Sequence, residues 1–125
     1  MSSPYVIVAA VHEPSVSLEE WWEENHDSLN SFEKEYDHNG EVDWRFCEGT
    51  FKSTHALEEF KVRPEYHSGR GEDVIEVILS GREDIQNINM TGLESILEEI
   101  NHKLDPTFTL EVYYWYTGVD KPGGT

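Results

Sequence analysis

Two octapeptides decide how this chain folds: Tyr5–His12, YVIVAAVH, and Asp73–Ser80, DVIEVILS. Both are β-branched and apolar at successive rather than alternate positions, so each reads as a strand covered on both faces. Within the second run, past its first residue, only Glu76 breaks the apolar pattern. Strands of this kind belong in the interior of a sheet, and the remaining segments must supply its edges and its cover.

Pro14 ends the first strand. Ser17 and Glu20 then form a capping box, in which each side chain satisfies a free backbone donor at a helix start. Leu18, Trp22, Leu29, Phe32 and Tyr36 follow at helical spacings, which predicts one long helix stopping near Asp37, before the turn chemistry of His38-Asn39-Gly40. Val42–Cys47 alternates, with Val42, Trp44 and Phe46 on one side, as a half-buried strand does. Gly49 marks a bulge, Phe51 resumes the strand, and Thr54 caps a short helical turn around Ala56, Leu57 and Phe60. Pro64, Gly69 and Gly71 make residues 61–72 a long loop, and the polar, Asn-rich residues 81–89 a second one. Thr91 with Glu94 repeats the capping box ahead of a stripe of Leu93, Ile96, Leu97, Ile100 and Leu104, which Asp105-Pro106 terminates. Thr107–Thr117 is the last strand, with Tyr113 and Trp115 on the side opposite Leu110 and Val112.

The expected fold is therefore α+β, one domain over residues 1–117 with a flexible tail at 118–125. Its order is βαββαβ, the ferredoxin-like sandwich: an antiparallel sheet, two helices on one face, and an insertion at residues 50–72 between the second and third strands. The other sheet face would carry Tyr113 and Trp115 as a possible oligomer face, unless the insertion folds over it.

Composition narrows the function. The 125 residues include 26 Asp plus Glu against 9 Lys plus Arg, a formal net charge of −17. A basic footprint for nucleic acid is missing, so direct nucleic-acid binding is not expected. The 12% aromatic content is too high for a disordered acidic tail. Cys47 is the one cysteine, which excludes an internal disulfide and suits a reducing compartment. No apolar run approaches the ~18 residues of a membrane span, and the N-terminus lacks signal-peptide character, so a cytoplasmic protein without membrane contact is expected.

No catalytic motif emerges: there is no nucleophile elbow, no phosphate-cradling glycine pattern and no zinc-type Cys/His spacing. Glu23-x-x-His26 and Glu99-x-x-His102 repeat a di-iron spacing, but the further helices such a site needs are missing, so neither a metal nor another cofactor is expected. The acids are instead unevenly spread. Residues 11–48 hold twelve acids and two bases. Glu19, Glu20, Glu23, Glu24 and Asp27 line one face of the first helix, with Trp21 beside them one position off the core stripe and partly exposed. The expectation is a non-catalytic binding protein that uses these six residues to inhibit or neutralise a basic protein partner. The comparison, one of size and charge alone, is with immunity proteins and nucleic-acid mimics. The alternatives are a self-assembling structural protein, such as a viral particle component, and a small enzyme or ligand-binding domain with His55, Tyr66 and His67 in a pocket under the insertion.

Overall fold

The two apolar octapeptides pair with each other. In the computed structural model, which describes residues 5–67, 72–80 and 90–114, β1 (Tyr5–His12) runs antiparallel to β5 (Glu72–Ser80), with Ala9 opposite Val77 and Val11 opposite Ile75. On its other side β1 pairs with β6 (Thr109–Tyr114), where Ala9 meets Leu110. Three more strands, β2 (Ser31–Glu33), β3 (Glu48–Lys52) and β4 (Glu59–His67), extend the sheet beyond β5. The six described strands form one open antiparallel sheet in the order β2-β3-β4-β5-β1-β6. With α1 (Leu18–Asn25) and α2 (Met90–Lys103) the architecture is α+β, and both octapeptides are interior strands.

Both helices cover the same face. Trp21 and Trp22 of α1 and Leu93, Ile96 and Ile100 of α2 share one buried cluster with Ile7, Ala9 and Val11 of β1, Ile75 and Val77 of β5, and Val62 of β4. Val8, Ala10 and Val74 form a separate small cluster on the opposite face, as the two-residue period of a strand requires.

The sheet has six strands rather than the four expected, and each addition has a local cause. The first helix stops at Asn25, not near Asp37, because Asn25 turns its side-chain amide onto the Trp21 carbonyl (2.9 Å) and ends the ladder. A 3-10 turn, His26–Ser28, follows, and Leu29 is extended. Asn, Asp and Ser compete for local backbone groups, so the run from Asn25 to Ser31 is weak helix former. Asn30 Oδ1 accepts from Lys52 N (2.8 Å) and the Ser31 and Thr50 hydroxyls bond (2.8 Å), which fixes the chain as β2 against β3. Leu29 and Phe32 still pack on the core, which is why their spacing imitated a helix.

The expected strand at 42–47 is replaced by a turn. The Asp43 carboxylate accepts from the Arg45 backbone N–H (3.3 Å) and the Asp43 carbonyl from Phe46 N–H (3.0 Å). Phe46 is thereby turned out to solvent, while Cys47 is buried with its thiol 3.5 Å from the Asp43 carbonyl. Val42 keeps only an isolated bridge to Tyr36. Gly49 is no bulge but a regular β3 position: a Cβ there would lie 2.7 Å from Leu29 Cδ1 and 2.9 Å from the Ser31 carbonyl, so only glycine lets β2 close onto β3.

The segment read as a loop at 61–72 falls largely within β4. Pro64 is tolerated because it lies beyond Gly49–Val62, the last β3 pair, where β4 has a described neighbour on one side only. Of the insertion at 50–72, residues 50–52 and 59–67 are therefore strands of the sheet rather than a cover over it. The tail at 118–125 and the loop at 81–89 lie outside the described residues.

Candidate functional site

α1 is short and firmly seated. Ser17 caps it, accepting from Glu20 N (3.2 Å) and giving its hydroxyl to the Glu20 carboxylate (3.3 Å); this is an N-cap in which Glu20 bonds the Ser17 hydroxyl rather than its backbone N–H. Trp21 and Trp22 both point inward, each 1% exposed, in an edge-to-face contact with centroids 5.2 Å apart. Trp21 Nε1 donates to the Asp105 carbonyl (2.6 Å) and Trp22 Nε1 to the Trp44 carbonyl (3.1 Å). Asn25, buried between them, donates to Asp105 O (3.3 Å) and accepts from Asp105 N (3.0 Å). The expected partial exposure of Trp21 is thus corrected. Its indole N–H finds its acceptor in the turn after α2, and that bond draws the ring into the core.

The outward face of α1 is acidic. Glu19, Glu20, Glu23 and Glu24 are exposed, and Asp27 follows in the 3-10 turn with its side chain 91% exposed. The shortness of α1 changes how this charge is held. Glu19 and Glu20 lie in the first turn, where a helix dipole favours anions. Glu23 and Glu24 lie in the last turn, where it opposes them, and that turn holds no basic residue. Dipole complementarity therefore explains two of the five carboxylates and not the rest.

The described cations are engaged elsewhere. Arg45 pairs with Asp43 (3.2 Å), Lys61 with Glu48 (3.6 Å), Arg63 with Glu65 (3.8 Å) and Lys103 with Glu99 (3.3 Å). Lys34 stands over the Trp44 ring (5.6 Å), and the Lys52 ammonium caps the Ala56 and Leu57 carbonyls. No described Lys or Arg pairs with Glu19, Glu20, Glu23 or Glu24, and Asp27 meets only the His26 ring (3.2 Å).

Two other acids are held very differently. Glu99 of α2 accepts from the Ser53 hydroxyl (2.6 Å), Thr54 N (3.0 Å) and Lys103 (3.3 Å). Burial pushes its carboxyl up, but these donors together outweigh burial and hold it below the usual range. Glu76 of β5 is 6% exposed on the sheet face away from the helices. There burial, reinforced by Glu65, pushes its carboxyl up to about 7 against the opposing pull of Arg63. Its signal in the sequence was the lone acid inside DVIEVILS. No local spacing announced the Ser53 and Thr54 donors of Glu99, which lie 46 and 45 residues away.

The remaining sequence-derived sites separate. Tyr113 pairs with Val6 in the β1–β6 register, and its side chain, like the whole of Trp115, lies outside the described residues. His55 is exposed in the turn before β4. Glu99 of the Glu-x-x-His pair is taken up by its donors, and His102 is exposed. Among the described residues no group of three His, Cys, Asp or Glu is placed to hold a metal ion. No described helix is long and apolar enough to cross a membrane. Burial pushes the Cys47 thiol up, away from the thiolate a nucleophile needs.

Comparison with protein-family models, with curated proteins and with solved structures returns no match. The geometry of the chain itself is what bears on function.

Proposed function

We propose that this is a non-catalytic acidic binding protein that docks a basic protein partner through Glu19, Glu20, Glu23, Glu24 and Asp27, and so inhibits or neutralises it. The observation that carries this reading is the uncompensated charge of α1. These carboxylates are exposed and unpaired by any described Lys or Arg, and two of them oppose the helix dipole on a helix anchored by two buried tryptophans. A rigid array of like charge raises encounter rates with an oppositely charged surface, and its mutual repulsion is relieved only when that surface arrives. Within the six-strand sheet, β1, α1, β4, β5, α2 and β6 serve as a ferredoxin-like unit widened by β2 and β3. The single buried thiol fits work in a reducing compartment such as the cytoplasm.

The test is affinity capture with three baits: the native chain, Glu19→Gln/Glu23→Gln/Glu24→Gln/Asp27→Asn, and the control Glu58→Gln/Glu59→Gln/Glu94→Gln/Glu98→Gln. Glu20 is spared because its carboxylate accepts from the hydroxyl of the capping Ser17. The native and control baits should retain the same basic protein at low salt, and the α1 variant should lose it. Equal retention by all three baits would contradict the reading.

A further inference from the structure

Glu76 lies where an acid is least at home. Its register neighbours are Ala10 of β1 and Arg63 of β4, and Val74 and Ala10 close to it are buried. Among the described residues no hydrogen bond or ion pair reaches its carboxyl, although it is 6% exposed. The cation directly across the strand pair is also incompletely used. Arg63 Nε is buried without a hydrogen-bond partner, and Arg63 Nη2 stands 3.8 Å from Glu65, two residues along β4. One guanidinium is therefore set between two carboxyl groups on one sheet face. Among the described residues the other charged groups on this face are His12 of β1 and Glu111 of β6, which hold each other at 2.5 Å, and Lys61 of β4, which pairs with Glu48.

We propose that Arg63 and Glu76 form a proton-operated switch: with the Glu76 carboxyl protonated the guanidinium serves Glu65, and loss of that proton draws it across to Glu76. The proton leaves the carboxyl for solvent, and no covalent bond changes. A neutral carboxyl tolerates the enclosed position, whereas an ionised one there is costly unless a cation comes to it. The unpartnered Nε is the donor free to do so. Burial and Glu65 raise the carboxyl to about 7, with Arg63 opposing, Glu111 adding to the rise and His12 lowering it, so the exchange falls near neutrality. Because the folded value is raised, the stability linked to this proton is complete below the unfolded value of about 4.5 and is lost as pH rises through about 7. Alkaline conditions should loosen this sheet face, the reverse of acid denaturation.

The switch is tested on the native chain by NMR titration of the Glu76 carboxyl carbon and the Arg63 Nε–Hε signal, with Glu76→Gln as comparison. Both native signals should move with one midpoint near 7, and the Arg63 transition should vanish in E76Q. Between about pH 5 and pH 8.5 the native unfolding constant should rise roughly seventyfold more than that of E76Q, the linkage expected of such a displaced carboxyl. A Glu76 midpoint in the ordinary carboxylate range, or an Arg63 signal without a transition near 7, would overturn the proposal.

Discussion

The two described helices lie on one face of one sheet, yet Glu99 of α2 and the acids of α1 are held in opposite ways. On α2, Glu99 is wrapped by Ser53, Thr54 and Lys103, and its charge ties the helix to the β3–β4 turn. On α1, Glu19, Glu23 and Glu24 bond no described residue, and the bonds that seat the helix come from Trp21, Trp22 and Asn25 beneath them. The charge of Glu99 is structural, whereas Glu94 and Glu98 of α2 are exposed and meet no described Lys or Arg. Charge on α1 has no described structural use beyond the Ser17–Glu20 contact, and its concentration on one short helix makes it a candidate for binding. Glu76 adds a third case, an acid enclosed without described donors, where burial reinforced by Glu65 raises the carboxyl, whereas at Glu99 donors reverse the direction.

The contrast can be broken from several sides. The largest effect belongs beneath α1: Trp22→Ala should cost about 3–5 kcal/mol, read from the denaturant midpoint, since it empties a fully buried site. Glu99→Ala should cost about 2–3 kcal/mol, because Ser53, fully buried, and Thr54 N lose a charged acceptor. The acid limb of stability should report the same group. With its folded value lowered, Glu99 contributes above the unfolded value of about 4.5 and loses that contribution as pH falls through the lowered one. Glu99→Gln should flatten this limb in a pH series of denaturation curves, and neutralising α1 should leave its shape unchanged. The smallest effect is the α1 variant itself, within about 1 kcal/mol of the native chain, because losing favourable charge in the first turn offsets relief of repulsion in the last. A large destabilisation by that variant would erase the distinction between the two helices.

How much of this was legible beforehand follows the range of the interactions. β1, β5 and α2 were readable because their apolar patterns are long and uniform. The end of α1 was not, since Leu29 and Phe32 face the same core from a strand as they would from a helix. Residues 42–47 alternate like a strand, but the local bonds that the Arg45 and Phe46 backbone N–H groups donate to Asp43 outweigh that pattern. β4 was hidden by Pro64, which is harmful in mid-sheet and harmless beyond the end of β3. The acidic stripe was visible from spacing alone. The inward turn of Trp21 depends on Asp105, 84 residues away, and no local pattern carries that.

The most direct test is the association rate of the captured basic partner, followed over rising salt for the native chain, the α1 variant and the control variant. At low salt the native and control chains should associate at similar rates, and the α1 variant at least about tenfold more slowly, with a flatter salt dependence. If both variants slow equally, net charge and not the face of α1 governs encounter. If neither slows, α1 is not the docking surface.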